Sequence, residues 1–323
     1  MAYYKQYFEG AEVEKFKLSM LNWADRFSIF CFLDSHHYEP DTSGYAWLLA
    51  AGAHRKIKVP EEQAFSFLKD SYAHANGWWF GHIGFGLQES FFPGQASPDE
   101  YISFGQSVFF EPLYILSCQD ERLCIESLED DCENIFQQIS SFSIPFPPKK
   151  NVPVQTEAGM TKSEYLAAVK AIRQHIIRGD CYELNFCQEF TASGYEAEPL
   201  NIFNNLSRLS PNPFAALYKL GDKYCICESP ERYLKKEGDK ISSSPIKGTS
   251  RRYPEDEKKD EESRRALLSS AKDKSENVMV VDLVRNDLSK VCREGTVQVE
   301  ELFKLKSFPA IHHLVSTVSG NLV

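Results

Sequence analysis

The chain has 323 residues, of which 42% are hydrophobic and 25% are charged, and its formal net charge is -10. This composition is typical of a globular protein with a sizeable core, in one large domain or two ordinary ones. An acidic chain binds nucleic acid and anionic membranes poorly, so we predict neither as a partner. The nine cysteines are scattered and form no CxxC pair. They predict no disulfide framework and no zinc site, and we expect a cytoplasmic location.

The first half of the chain is rich in patterns typical of antiparallel strands, which predicts an α+β fold. The predicted elements are a buried strand at 26–33, a strand at 44–52, a helix at 61–75, a strand and bend at 76–90, and two or three strands within 101–128. A polar, proline-rich segment without periodicity follows at 143–159. We therefore predict an N-terminal region at 1–145, a linker at 146–160 and a second domain at 161–323. Strands from both regions are expected to share one core.

The second half begins with a clear amphipathic helix at 161–180. Thr161 and Glu164 have the spacing of a capping box, and Gly179 stands where the helix should end. The later predictions are a strand at 181–192, a helix at 199–212, short strands with turns at Gly221-Asp222 and Gly238-Asp239, helical structure over most of 254–293, and a strand within 295–308. The apolar run from Val278 to Leu283 predicts that its helix is buried around most of its circumference.

Two of the segments that could carry chemistry lie next to predicted short strands. Glu231 follows Ser229-Pro230 at a strand end, where a carboxylate can point into a cleft. Lys247 lies between Ile246 and Gly248, and a partly desolvated lysine is a better nucleophile because burial favours its uncharged amine. Taken alone, each has a plainer interpretation, a solvated turn acid and a surface lysine.

Two further segments lie near the C-terminal end of the sequence. Asp273 and Glu276 are three residues apart on a predicted helix, so they share a face, and their hard oxygen atoms suit Mg²⁺. His313 precedes an apolar run and could orient a substrate or carry a proton. The plainer interpretations are an exposed, salt-bridged helix and a structural histidine.

The order and spacing of these segments resemble those of the chorismate-binding family. The matching segments are GDCYELNFCQEF (179–190), SPERYL (229–234), PIKGTSRR (245–252), KDKSENVMVVDLVRNDL (272–288) and FPAIHHLVSTVSG (308–320). The family includes aminodeoxychorismate, anthranilate, isochorismate and salicylate synthases. The resemblance implies the α/β sandwich of anthranilate synthase component I, with two sheets and helices outside them.

The lysine at position 247 is similar to that of the aminodeoxychorismate synthase branch, since anthranilate synthases carry alanine there. This implies that Lys247 attacks C2 of chorismate, that Glu231 protonates the departing C4 hydroxyl, and that ammonia then displaces the lysine to give 4-amino-4-deoxychorismate. Gly248 and Thr249 are implied as substrate-binding residues and His313 as a group near the substrate ring. Glu276 is implied as a Mg²⁺ ligand, with Asp273 as a weaker candidate.

The same resemblance implies a separate glutamine amidotransferase partner that supplies ammonia for 4-aminobenzoate and folate synthesis. Two alternatives stay open, anthranilate synthase component I and a chorismate-binding fragment without turnover. The family's domain extends past the segment at 308–320, so we expect this chain to hold only part of it and to turn over chorismate poorly. The segments 33–35 and 212–214 resemble those between which anthranilate synthases bind tryptophan, which suggests a pocket there.

Overall fold

The computed structural model describes residues 3–10, 12–38, 44–60, 63–74, 77–90, 102–142 and 154–323. The predicted α+β class is confirmed. The helices are α1 (Val13–Ala24), α2 (Ala64–Ala73), α3 (Cys132–Ser141), α4 (Lys162–Arg178), α5 (Pro199–Leu209), α6 (Glu257–Ser269) and α7 (Ala271–Ser289), with a 3-10 helix at Phe85–Ser90. The strands are β1 (Tyr4–Phe8), β2 (Ile29–Asp34), β3 (Trp47–Lys58), β4 (Phe80–Ile83), β5 (Ser107–Gln119), β6 (Arg122–Ser127), β7 (Glu157–Ala158), β8 (Phe190–Thr191), β9 (Phe214–Leu220), β10 (Lys223–Ser229), β11 (Arg232–Glu237), β12 (Lys240–Ser244), β13 (Ile246–Arg251), β14 (Gln298–Ser307) and β15 (Ile311–Asn321).

The larger sheet has the strand order β1-β6-β5-β3-β2-β9-β10, and β4 pairs with β5. All of these pairings are antiparallel. Strand β2 pairs with β9 from Ile29–Leu220 to Asp34–Ala215. The expectation that strands from both ends of the sequence share one core is therefore confirmed.

Helices α1, α3 and α5 bury their apolar faces with one side of this sheet. Trp23 of α1, Ile139 of α3 and Phe203 of α5 belong to the same buried cluster as Phe30 and Phe32 of β2. Burying each large side chain of this kind contributes roughly 1.5–3 kcal/mol of hydrophobic free energy. This cluster fixes β2 and β9 side by side, and β9 leads directly through β10 to the predicted acid at Glu231.

The smaller sheet has the order β11-β12-β15-β13, and β14 also pairs with β15. Helix α7 packs against it through a cluster that includes Val281, Leu288, Cys292 and Val318. Its first turn is capped by Ser270, whose hydroxyl accepts from the Asp273 backbone N–H at 3.2 Å.

The prediction that α7 is buried around most of its circumference is wrong. Its buried residues are Asn277, Val281 and Leu288, which lie along one face. Val278 and Leu283 are 40% and 51% exposed. Consecutive apolar residues point to all sides of a helix, but the sheet covers only one side of α7. Asp282 and Arg285 lie on the exposed face, where Arg285 donates to Asp282 at 2.9 Å.

Residues 1–144 and 199–323 form one compact unit, and residues 145–198 form another. The division into regions at 1–145 and 161–323 stays a prediction. Within the linker predicted at 146–160, residues 146–153 lie outside the described residues.

The second unit contains α4, which has the predicted cap. The Thr161 hydroxyl accepts from the Glu164 N–H at 3.3 Å, the Glu164 carboxylate accepts from the Thr161 N–H at 2.7 Å, and Gly179 ends the helix at φ +84°. The strand predicted at 181–192 is wrong except at Phe190–Thr191, which pairs with Glu157–Ala158. Alternation marks side chains that could share a face, but a strand also needs a hydrogen-bonded neighbour.

None of the described helices is both long and apolar enough to cross a membrane. All nine cysteines are free thiols.

Candidate active site

A β-bulge in β13 contains the predicted nucleophile. Ile246 pairs with Val315 and Thr249 pairs with His313, so Lys247 and Gly248 together stand opposite Leu314 alone. In a regular strand, Ile246 and Thr249 are three residues apart and would point to opposite faces of the sheet, because side chains alternate along a strand. The bulge therefore brings Thr249 to the face that carries His313.

Gly248 is required at the bulge for two reasons. Its φ is +90°, a conformation that residues with a Cβ rarely adopt. A Cβ at this position would also lie 2.9 Å from Cβ of Asp273, so glycine lets the first turn of α7 approach the strand. That Gly248 lets a substrate come close stays a prediction, and the element that the structure shows close to it is α7.

His313 is buried beside the bulge with a defined orientation. The residue is only 7% exposed, and its Nδ1 lies 2.9 Å from Oγ1 of Thr249. The Phe308 ring packs edge-on against the imidazole, with the centroids 5.6 Å apart. Nε2 is buried without a hydrogen-bond partner among the described residues. Burial lowers the pKa of His313, and this is opposed by a hydrogen bond with the Gly248 backbone and by the charge of Glu231. A neutral ring with one unengaged nitrogen can accept or donate a hydrogen bond to a bound molecule.

Glu231 lies beside the start of β13. Its Oε1 accepts a hydrogen bond from the Ile246 backbone N–H at 3.0 Å, and its own N–H donates to Oγ of Ser229 at 3.2 Å. The side chain is exposed, so it is open to a ligand. The bond to Ile246 places the carboxylate one residue away from Lys247.

The predicted metal ligands lie on the first two turns of α7. Asp273 touches the bulge at Gly248, as described above, and Glu276 lies one turn further on, where Nζ of Lys272 is 3.6 Å from its Oε1. Carboxylate oxygens suit Mg²⁺, which needs only one or two of them and keeps its waters. Asp273 and Glu276 thus carry the oxygen atoms that suit Mg²⁺, and a metal site formed by them stays a prediction. Within the described residues, no group of three or more histidine, cysteine, aspartate or glutamate side chains is arranged to hold a metal.

Around the backbone bulge that holds Lys247, Glu231 lies at the start of β13, His313 beside Thr249 and Asp273 against Gly248, whereas Glu276 has no contact with them among the described interactions. Sequence reasoning missed Asn277, which is 1% exposed and donates from Nδ2 to the carbonyls of Lys247 at 3.4 Å and Leu314 at 3.2 Å. An uncharged polar residue directly before the apolar run of α7 was the signal that could have found it, since buried polar groups need partners.

A separate cavity lies at the predicted pocket. It has a volume of about 430 Å³, and its lining includes Asp34, Ser35, Pro213 and Phe214, from the two segments that suggested it. The guanidinium of Arg232 lies 4.5 Å from the centroid of Phe214. The cavity therefore offers an aromatic wall together with charges of both signs.

Comparison with known proteins decides the family. A family model described as chorismate binding enzyme matches residues 33–323. The chain belongs to the chorismate-binding enzyme family.

Two relatives illustrate the range of similarity. Aminodeoxychorismate synthase component 1 of Salmonella typhimurium is 40% identical over 166 residues, which cover 51% of this chain and 36% of that protein. A probable anthranilate synthase component 1 of Schizosaccharomyces pombe is 36% identical over 188 residues, which cover 58% of this chain and 38% of that protein. The matched segment of this chorismate-binding enzyme thus spans little more than a third of each relative.

A solved structure confirms the predicted fold. Anthranilate synthase component I from Streptococcus pneumoniae superimposes with a TM-score of 0.71 at 22% identity, covering 85% of this chain and 68% of that one. The anthranilate synthase component I fold is therefore that of this chorismate-binding enzyme.

Proposed function

We propose that this chorismate-binding enzyme is an aminodeoxychorismate synthase component I, which converts chorismate and ammonia to 4-amino-4-deoxychorismate. The observation that supports the proposal is Lys247 in a bulge flanked by Glu231 and His313. A lysine at this position favours covalent catalysis, because a nucleophile splits one difficult substitution into two easier ones.

The residues have complementary roles in the proposed reaction. The amine of Lys247 forms a bond to C2 of the ring, both conjugated double bonds of the ring shift, and the bond from C4 to its hydroxyl oxygen breaks. Glu231 donates a proton to the departing oxygen, which leaves as water because hydroxide is a poor leaving group. Ammonia then bonds to C4 and the lysine leaves C2, which regenerates the enzyme. His313, held by Thr249 and Phe308, hydrogen-bonds to the substrate and orients it.

Mg²⁺ would supply positive charge for a substrate carboxylate in an otherwise acidic protein. Glu276 would hold it, with Asp273 as a second ligand. Gly248 and Thr249 would line the substrate site. The ammonia would come from a glutamine amidotransferase partner, as the component 1 naming of the relatives suggests, and the pathway would be folate synthesis.

The proposed covalent bond can be tested directly. The protein is mixed with chorismate and Mg²⁺ without ammonia, quenched, digested and analysed by mass spectrometry. We expect the peptide containing Lys247 to gain the mass of chorismate minus water. Lys247→Ala should abolish the adduct, and Lys290→Ala, which changes an exposed lysine at the end of α7, should keep it. Because the adduct forms before turnover, this readout does not require a fully active enzyme.

Anthranilate synthase component I is the alternative that the comparisons favour next. Its product fluoresces, whereas 4-amino-4-deoxychorismate needs a further lyase to yield 4-aminobenzoate. Anthranilate fluorescence on addition of ammonium, with Lys247 unmodified, would contradict the proposal and favour this alternative. Calorimetric binding of chorismate with neither product nor adduct would favour a binding role without catalysis.

A further inference from the structure

A buried hydrogen-bond network connects the bulge at Lys247 to the strand on the far side of β15. Asn277 of α7 and Ser316 of β15 are 1% and 0% exposed. Oγ of Ser316 donates to Oδ1 of Asn277 at 2.5 Å and accepts from the Phe303 backbone N–H at 3.1 Å. Phe303 has a φ of +57° and lies where β14 also changes register, between Glu301 and Lys304. The network therefore joins an irregularity in β14 to the one in β13.

The amide of Asn277 has the chemistry that the β13 bulge needs. In a bulge, one residue of the longer strand is left outside the regular ladder, and its polar groups must find other partners. Nδ2 carries two hydrogens, and these go to the carbonyl of Lys247 on the longer strand and to that of Leu314 on the shorter one. One side chain thus binds both sides of the bulge.

The hydroxyl of Ser316 fixes which way this amide points. An asparagine amide can turn by half a revolution and exchange its oxygen for its nitrogen. Because Ser316 uses its hydrogen on Oδ1, Nδ2 must face the two carbonyls. A buried polar group with all partners satisfied selects one arrangement, since any rearrangement would leave a polar atom unpaired.

We propose that Asn277 and Ser316 are positioning residues that hold the backbone of Lys247 in its bulged conformation and so set the environment and direction of its amine. The catalytic importance of this positioning rests on the proposed function, because the conformation of Lys247 matters for turnover only if Lys247 reacts with chorismate. The positioning itself is independent of substrate. Neither residue is proposed to touch the reacting atoms.

The test compares two serines of the same strand. Ser316→Ala removes the bond to Asn277, while Ser319→Ala removes a bond of similar length, from Oγ to Oε1 of Glu300 at 2.7 Å, from an equally buried site. Both variants lose one buried serine hydroxyl, and Ser316→Ala also loses the bond from the Phe303 N–H, so it should cost somewhat more stability. Asn277→Leu, which keeps the branched shape and the number of side-chain heavy atoms but has no amide, is the stronger variant.

The readout is the reaction of Lys247 with acetic anhydride at a series of pH values, followed by mass spectrometry of the peptide containing it. We expect Ser316→Ala and Asn277→Leu to change the pH profile and the rate of acetylation at Lys247, with Lys290 unchanged in every variant. Ser319→Ala should keep the wild-type profile. A wild-type profile at Lys247 in folded Ser316→Ala would overturn the proposal, and this variant decides the matter if Asn277→Leu does not fold.

A second measurement separates this inference from the proposed function. If wild-type protein forms the chorismate adduct, Ser316→Ala should form it about a hundredfold more slowly, because small displacements of a reacting group cost about that much, with little change in the chorismate concentration that gives half the maximal rate. Absence of the adduct in wild type would contradict the proposed function and leave the acetylation result to decide the inference. An unchanged adduct rate in Ser316→Ala would overturn the inference while the function stood.

Discussion

At the scale of single residues, Glu231 has two separable tasks. Its carboxylate accepts a hydrogen bond from the Ile246 N–H, which supports β13, and in the proposed reaction it also gives a proton to the substrate. Glu231→Gln keeps an oxygen that can accept from Ile246 but cannot act as the acid. We therefore expect the adduct at Lys247 to form about a hundredfold more slowly or worse, since general acids contribute at least that much.

The same variant should leave the stability of the protein nearly unchanged, measured as the midpoint of urea unfolding. Glu231→Ala should lower both the adduct rate and the midpoint, because the Ile246 N–H loses its partner. Glu237→Gln is the matched control, since Glu237 is an exposed residue of β11 whose side chain pairs with Lys235 at 3.1 Å. Full adduct formation by Glu231→Gln would exclude this carboxylate as the acid.

His313 predicts a pH dependence of stability. Burial lowers its pKa in the folded protein, so below about pH 6.5 the unfolded chain binds a proton that the folded chain does not. The free energy of unfolding therefore falls as the pH drops below that value, with a slope of at most about 1.4 kcal/mol per pH unit for one proton. The contribution of the neutral His313 ring to the free energy of unfolding is fully present above the pKa of the histidine in the unfolded chain.

Urea unfolding at several pH values measures this slope. His313→Leu should lack the part of the slope that lies just below about pH 6.5. His74→Gln, which removes an exposed histidine, should keep the slope of the wild type. An undiminished slope in His313→Leu would mean that other groups cause the pH dependence.

At the scale of elements, the bulge in β13 depends on Gly248 more than an ordinary turn depends on its glycine. Gly238, in the turn between β11 and β12, also has a positive φ, of +57°, but a Cβ there would meet no atom within 4 Å. Gly238→Ala should therefore cost only the backbone term of about 1 kcal/mol. Gly248→Ala adds the contact with Asp273, so we expect a loss of about 2 kcal/mol or more.

Comparing the two variants by urea unfolding isolates the contact between β13 and α7. A smaller loss for Gly248→Ala than for Gly238→Ala would show that α7 does not press against the bulge. A second readout is the Asp273 side chain, whose nuclear magnetic resonance signals should shift in Gly248→Ala alone.

Elements with local signals were predictable from the sequence, and those that depend on distant partners were not. Helix α4 was predictable to within two residues, at 161–180 against the observed Lys162–Arg178, because Thr161 and Gly179 are local signals of its two ends. The strand predicted at 181–192 was wrong because alternating apolar and polar side chains do not reveal whether a neighbouring strand is present to pair with it. The bulge at Lys247 could not be predicted, since it exists only in the register between β13 and β15, and the role of Asn277 depends on that register.

At the scale of the whole molecule, the order of strands in the larger sheet was not predictable. The pairing of β2 with β9 joins residues 181 to 191 positions apart in the sequence, from Asp34–Ala215 to Ile29–Leu220, and no local pattern specifies it. The motifs around Glu231, Lys247, Asp273 and His313 predicted a common site through their resemblance to a family, and the structure brings these segments together. The sequence could not show the contacts that join these segments, which are Glu231 with Ile246, His313 with Thr249, and Asp273 with Gly248.

The pairing of β2 with β9 also predicts how the chain folds. Phe203, Ala215 and Leu217, from the later part of the sequence, belong to the same buried cluster as Phe30 and Phe32. A fragment of residues 1–145 would expose these two aromatic rings and leave β2 as an open edge, which favours aggregation over folding. A fragment of residues 161–323 would lose β2 and keep only β10 as a partner of β9.

We therefore expect neither fragment to unfold cooperatively by itself, measured by circular dichroism in urea, and we expect the two to copurify when they are expressed together. The control is the full chain with a protease site inserted within 146–160 and cut after folding. It should stay associated, since the cluster and the β2–β9 ladder lie outside the cut. Cooperative unfolding of the isolated 1–145 fragment would contradict this expectation, because its core would then be sufficient without Phe203, Ala215 and Leu217.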